Sequence, residues 1–137
     1  NTIYSKLAQT NAKRISVFLD ACFTGQGRGG TLMKGTRSIG IKPKPAQLSG
    51  NIVVFSATGE NQVANPLTSE KHGMFTYFLL RRLKETRGTI TYADLIHDVR
   101  EKLKLETFNS AVKLQIPEIY VSPAIQQGEW KNWRFQY

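Results

Sequence analysis

One cysteine and two histidines are the residues of this 137-residue chain best suited to nucleophilic chemistry. Cys22, the only cysteine, follows an apolar run at residues 15–19 and precedes a Thr-Gly turn. A thiolate attacks carbonyl carbons, but an ordinary thiol with a pKa of about 8.5 needs a base to form one. A lone cysteine is otherwise an inert core residue. Asp20 lies two residues before Cys22, and the Thr-Gly turn follows it closely. Because an inert core thiol would gain nothing from these polar neighbours, we predict that Cys22 is a catalytic nucleophile.

Neither histidine of the chain is a strong candidate for that base. His72 stands directly before a glycine that opens an apolar helix, so it is either the base or, more commonly, a helix-entry residue. His97 is followed by Asp98 inside a predicted helix, where we expect it to face solvent. The residues alone therefore leave the source of the base open.

The apolar pattern predicts an α/β sheet that would position Cys22. Residues 14–20 and 51–57 are rich in β-branched and aromatic side chains, as expected for strands buried on both faces of a parallel sheet. Such sheets bind ligands beyond the carboxyl ends of their strands, where Cys22 would lie. A closing strand is predicted at residues 115–121, with Pro117 near its start or at a sheet edge.

Three helices are predicted around these strands. Residues 7–13 resemble the end of a helix, and a second helix with apolar residues at 3.6 spacing begins after Gly73. Thr91 and Asp94 have the spacing of a capping box, which predicts a third helix that runs to about Lys104. The length suits one compact domain.

Two polar segments interrupt this pattern. Residues 26–50 combine glycine and proline with five basic residues and no acidic one, which predicts a flexible positive loop. A second polar loop is expected at residues 58–71. We expect long loops of this kind in a small domain to be functional or disordered.

Charge and composition exclude several other classes of protein. The net charge of +9 could attract nucleic acid, but the basic residues outside the loop are scattered over helices, so we expect no nucleic-acid partner. No run approaches the roughly 18 apolar residues of a membrane helix, and a single cysteine excludes an internal disulfide. We expect a soluble, cytoplasmic protein. The start lacks an initiator Met, so we expect the chain to begin within a longer protein.

Three segments together resemble a known family. They are Val-Phe-Leu-Asp-Ala-Cys-Phe-Thr-Gly at 17–25, Asn-Ile-Val-Val-Phe-Ser-Ala-Thr-Gly at 51–59 and Lys-His-Gly-Met-Phe-Thr-Tyr-Phe-Leu-Leu at 71–80. Over residues 10–122, the chain resembles the metacaspase and orthocaspase branch of the caspase-like cysteine peptidases. The resemblance implies a mostly parallel sheet flanked by helices, incomplete in this chain.

The resemblance also implies a Cys-His dyad whose histidine lies about 50 residues upstream of the cysteine. Only 21 residues precede Cys22, and none is a histidine. The implied partner is an N-terminal part of the same domain that carries the His and completes the sheet. Residues 1–137 are then the C-terminal part of one catalytic domain, with 123–137 as an extension. The Cys22 backbone amide would be an oxyanion donor. A truncated, inactive homologue is the alternative.

Substrate specificity is inferred from Asp20, which occupies the position where caspases carry glutamine. A carboxylate there attracts a cation, so peptide or protein substrates with Arg or Lys before the cleaved bond are expected. The alternative is that Asp20 only caps backbone amides. Since residues 26–50 lie where caspases carry their intersubunit linker, self-cleavage is expected after basic residues not followed by proline. These are Arg28, Lys34 and Arg37.

Metacaspases often require calcium, which several carboxylates bind. Asp20 is the only acidic residue before Glu60, so we predict no metal and no cofactor. The resulting functional hypothesis is a cysteine endopeptidase that cleaves after Arg or Lys. Its rival is an inactive caspase-like regulatory or assembly module. The aromatic residues of 129–137 receive no role from the sequence.

Overall fold

The computed structural model describes residues 3–20, 26–27, 30–31, 48–59, 64–67, 72–110, 112–125 and 127–136. Three helices and seven strands are formed by these residues. The helices are α1 (Ile3–Ala8), α2 (Met74–Thr86) and α3 (Tyr92–Asn109). The strands are β1 (Ile15–Leu19), β2 (Gln26–Gly27), β3 (Gly30–Thr31), β4 (Ile52–Ser56), β5 (Pro66–Leu67), β6 (His72–Gly73) and β7 (Glu118–Val121). Short 3-10 helices follow at Pro123–Ile125 and Glu129–Asn132.

The central sheet has the order β1-β4-β7, which confirms the predicted α/β class. β1 pairs with β4 in parallel, from Ile15 opposite Ile52 to Leu19 opposite Ser56. β7 runs antiparallel to β4, so the sheet is mixed over the described residues. The direction of β7 follows from the pair of helices before it. A single helix would bring the chain back to the amino end of β4, where a parallel strand would start. Two packed helices, α2 and α3, bring it back to the carboxyl end of β4, so β7 starts there and runs antiparallel.

The two parallel strands differ in burial. All five residues of β4 are buried, as predicted. All five residues of β1 are only half-buried, so the prediction of a strand buried on both faces is wrong for β1. The reason is its position, because no other strand among the described residues pairs with its outer side.

Apolar side chains cover both faces of the sheet. On one face, Val53 and Phe55 of β4 pack with α2, α3 and the C-terminal residues in the larger core cluster. On the other face, Ile52 and Val54 pack with Tyr4 of α1 and with Leu48. The alternation of inward side chains along β4 thus divides the core into two layers.

The helix ends largely follow the sequence signals. Gly73 precedes α2 as predicted, without a side-chain cap. At the start of α3, the Asp94 amide donates to Thr91 Oγ1 at 3.2 Å, as the capping box predicts. α3 extends five residues beyond the predicted end, because its buried stripe continues from Leu103 to Thr107 with no helix breaker. α1 ends at Ala8 rather than near residue 13, since Asn11 adopts a positive φ of 52°.

Two segments predicted to be loops contain short strands. β2 pairs antiparallel with β3 inside residues 26–50. β5 lies inside residues 58–71 and pairs antiparallel with β6, which follows that segment directly. Two-residue strands carry no periodic pattern, so the sequence does not predict them. Residues 32–47 and 60–63 lie outside the described part of the chain.

The C-terminal residues form part of the core. Trp130 and Trp133 are buried in the larger cluster. The Tyr92 amide donates to the Trp133 carbonyl at 2.9 Å, and the Phe135 amide donates to the Gly88 carbonyl at 3.2 Å. We call residues 127–136 the aromatic tail. It docks on α3 and on the turn before it.

Candidate active site

The carboxyl ends of β1 and β4 lie side by side, as predicted for the site. Leu19 is opposite Ser56, and the Ala57 amide donates to the Leu19 carbonyl at 2.7 Å. This pairing brings Asp20, the residue that follows β1, to the same sheet edge as Thr58. Both residues therefore lie at the edge formed by the carboxyl ends of these parallel strands, where such sheets bind ligands and which we call the site edge.

Asp20 is held by the first turn of α2. Its Oδ2 accepts hydrogen bonds from Thr76 Oγ1 at 2.5 Å and from the Thr76 amide at 3.3 Å. The carboxylate is half-buried, and its Oδ1 has no contact with solvent. A negative charge is favourable at the amino end of a helix, whose free amides carry partial positive charge. These contacts match the alternative role of Asp20 as a cap, and its role in substrate binding stays a prediction.

The predicted nucleophile is not among the described residues. Cys22 and its backbone amide lie outside them, as do the predicted self-cleavage residues Arg28, Lys34 and Arg37. The described strand β1 ends at Leu19. The roles of Cys22 and of the three basic residues stay predictions.

The two histidines occupy different parts of the fold. His97 is exposed on α3, as the sequence predicted. His72 belongs to β6 and is opposite Leu67 in that short pair, directly before α2. The histidine that would activate Cys22 remains a prediction.

A buried glutamine that the sequence did not single out, Gln115, links Ala57 to Asn65 by hydrogen bonds. Gln115 Nε2 donates to the Ala57 carbonyl at 3.0 Å, and its Oε1 accepts from the Asn65 amide at 2.8 Å. Gln115 is 1% exposed. The signal available in the sequence is a long polar side chain between apolar neighbours, at the start of the predicted strand 115–121. It lies three residues before β7 and ties that segment to the site edge.

Thr58 is a second polar residue of the site edge that sequence reasoning missed. It is completely buried, and its hydroxyl has no hydrogen-bond partner among the described residues. The Thr58 carbonyl accepts a hydrogen bond from Ser56 Oγ at 2.9 Å. A buried hydroxyl without a partner costs free energy and calls for a reason, either structural or functional.

Charged groups cluster elsewhere, in a cavity of about 330 Å³ between α2 and α3. Arg82 Nε donates to Asp98 Oδ2 at 2.7 Å on its wall. The Arg81 guanidinium donates to Glu85 and, with Arg82, holds the pKa of the Glu85 carboxyl below its ordinary value of 4.5. Neither Asp20 nor Thr76 lines this cavity, so it is separate from the site edge.

The described residues contain neither a metal-binding cluster nor a membrane-spanning helix. No three His, Cys, Asp or Glu residues among them lie close enough together to hold a metal ion. No helix among them has the length and apolar character needed to cross a bilayer.

Comparison with protein families identifies the chain. The model of the caspase domain matches residues 1–126, which is most of the sequence. The chain belongs to the caspase domain family. No curated protein matches this caspase domain. Because the family is one of cysteine peptidases, the broader functional prediction of a cysteine-dependent hydrolase is confirmed. The whole aromatic tail lies beyond the matched residues.

Proposed function

We propose that this caspase domain is a metacaspase-type cysteine endopeptidase that cleaves after Arg or Lys, with Cys22 as nucleophile. The observation that carries the proposal is the Asp20 carboxylate, which α2 holds at the sheet edge only two residues before Cys22. A fixed negative charge next to the nucleophile attracts a substrate cation and repels an acidic side chain.

In the proposed reaction, the Cys22 thiolate attacks the carbonyl carbon of the scissile peptide bond. The histidine accepts the thiol proton and passes it to the departing amine as the C–N bond breaks. The Cys22 amide stabilises the oxyanion. Water then attacks the thioester, its proton goes to the histidine, and the C–S bond breaks to release the acid and restore the thiol.

The histidine is proposed to come from a segment N-terminal to this chain. The exposure of β1 supports this proposal. β1 is an edge strand of the described sheet, and its five residues, four of them apolar, are only half-buried. A further strand beside β1 would bury these residues and pair with the backbone groups on the outer side of β1, where the described residues provide no strand. The same strand would bring its own carboxyl end beside Asp20.

Self-processing is proposed within residues 26–50. Arg28, Lys34 and Arg37 follow Cys22 closely in the sequence and would fit the proposed preference for basic residues. Incubation of active enzyme, followed by mass spectrometry, should find new ends after these residues, and substitution of all three by Gln should remove the cleavage.

The decisive experiment measures hydrolysis of peptides that differ only in the residue before the cleaved bond. In protein that contains the complete catalytic domain, Arg and Lys substrates should be cleaved and Asp substrates should not. Cys22→Ala should lower kcat at least about a thousandfold, because the covalent route is lost. Asp20→Asn should lower kcat/KM for Arg and Lys substrates about a hundredfold.

Two results would overturn the proposal in different ways. Cleavage that persists in Cys22→Ala would exclude Cys22 as nucleophile. Absence of both hydrolysis and covalent labelling by a peptide electrophile would favour the alternative, an inactive regulatory or assembly module.

A further inference from the structure

We infer that Thr76 is a positioning residue for substrate specificity, because it fixes the Asp20 carboxylate through which basic side chains would be selected. The inference rests on the proposed function and adds a residue that the sequence pattern did not single out. Thr76 is the third residue of α2, and it lies far from Asp20 in the sequence.

Thr76 donates two hydrogen bonds to one oxygen atom of Asp20. The Thr76 hydroxyl lies 2.5 Å from Asp20 Oδ2, a distance typical of a strong bond between a hydroxyl and an ionised carboxylate. The Thr76 amide lies 3.3 Å from the same oxygen and adds a weaker contact. Two donors that converge on Oδ2 restrict rotation of the carboxylate, so they define where its negative charge lies.

The Thr76 hydroxyl can be removed by substitution, whereas the Thr76 backbone amide cannot. Gly73, the residue before α2, provides no side-chain cap, so the carboxylate satisfies a free amide of the first turn. A backbone amide alone would suffice for capping. The much shorter hydroxyl contact adds orientation, and orientation matters for a group that must meet a substrate cation at a fixed distance.

Thr76 would therefore act only through Asp20. Thr76→Val keeps the shape of the side chain and removes the hydroxyl, so the Asp20 carboxylate loses the 2.5 Å contact to that hydroxyl. We expect KM for Arg and Lys peptides to rise about tenfold while kcat changes less than about twofold, the pattern of weakened substrate binding. Thr76→Ser should restore most of the binding.

A double-mutant cycle with Asp20→Asn tests the inference. If Thr76 works through the carboxylate, Thr76→Val should have almost no further effect on KM in the Asp20→Asn background. Thr86→Val is the matched control: it lies on the same helix, and its hydroxyl donates to the Arg82 carbonyl at 2.9 Å. The KM of the Thr86→Val variant should equal that of the wild type, even if its melting temperature is lower.

The outcomes separate this inference from the proposed function. If Asp20→Asn leaves the preference for Arg and Lys unchanged, the proposed role of Asp20 fails. If Asp20→Asn abolishes the preference but Thr76→Val leaves KM unchanged, or if the two effects simply add, the role of Thr76 fails alone. A lower melting temperature without a change in KM would show that the hydrogen bond is purely structural.

Discussion

The ring of Phe135 stacks on the ring of Phe18, with centroids 6.0 Å apart and an interplanar angle of 30°. Phe18 in turn stacks on Phe55 at 4.9 Å and 8°. The aromatic tail, β1 and β4 are therefore joined by one row of aromatic rings. Although Phe135 lies beyond the part that matches the caspase domain, it contacts the strand that leads to Cys22. The tail is thus structurally part of the domain.

The tail should contribute measurably to stability. Phe135 is 40% exposed, so Phe135→Ala should lower the free energy of unfolding by about 1–2 kcal/mol, less than a fully buried aromatic residue would. Trp133 is 7% exposed, and Trp133→Ala should cost about 3–5 kcal/mol. Urea denaturation measures both.

Phe108→Ala is the control, since Phe108 is 86% exposed and its loss should change stability by less than about 0.5 kcal/mol. Equal losses for Phe135 and Phe108 would contradict the role of the tail.

Gln115 should be intolerant of an isosteric change. In Gln115→Glu the amide that donates to the Ala57 carbonyl becomes an oxygen, so two acceptors face each other in a buried site. We expect a loss of about 2–3 kcal/mol at neutral pH, because a buried acceptor is left unsatisfied and a charge is buried. Thermal denaturation measures it. Gln127→Glu, at an exposed position, should have little effect, and similar melting temperatures for the two variants would refute the prediction.

The Arg81–Glu85 pair should make α2 weakly sensitive to acid. The two arginines lower the pKa of Glu85 below 4.5, its ordinary value, so the folded state favours the ionised carboxylate. The resulting stabilisation is present above that ordinary value and is lost as the pH falls through the lower pKa of the folded state. An NMR titration of the Glu85 side chain should give a midpoint below 4.5 that rises in Arg81→Gln. Added salt should weaken the shift, since the pair is exposed. A midpoint unchanged by Arg81→Gln would contradict the assignment.

Two buried threonines should respond oppositely to replacement by valine. Thr107 donates to the Leu103 carbonyl at 2.7 Å, so Thr107→Val should destabilise the protein by about 1 kcal/mol. Thr58 has no hydroxyl partner among the described residues, so Thr58→Val should leave stability unchanged or raise it by up to about 1 kcal/mol. Urea denaturation compares the two. A loss for Thr58→Val as large as that for Thr107→Val would show that the Thr58 hydroxyl is satisfied in the folded protein.

Much of the fold follows from local sequence signals. The run Ile-Val-Val-Phe at 52–55 predicts a buried strand, and Thr91 with Asp94 predicts the start of α3, because a side-chain cap and an apolar period are local properties. The antiparallel direction of β7 is not local. It depends on how many helices separate the strands, and the apolar pattern of a single strand carries no information on its direction.

The candidate site was only partly predictable. The strand order and the position of Asp20 directly after β1 place it at the edge formed by the carboxyl ends of β1 and β4, as the sequence suggested. Its partner Thr76 belongs to a helix that the sequence marks as apolar, and nothing in that pattern indicates which face meets a carboxylate. Gln115 likewise forms hydrogen bonds with backbone groups of Ala57 and Asn65. These residues are distant from it in the sequence, so only the packed structure shows its role.

The contact between Phe18 and Phe135 also bears on how the protein folds. The two rings are more than a hundred residues apart in the sequence, so their meeting requires closure of a very long loop and forms a highly non-local contact. Because α2 and α3 are neighbours in the sequence, we expect their hairpin to assemble early, and we expect β1 to acquire its aromatic neighbours late. Substitutions in the α2–α3 contact should then slow folding, whereas Phe135→Ala should mainly speed unfolding.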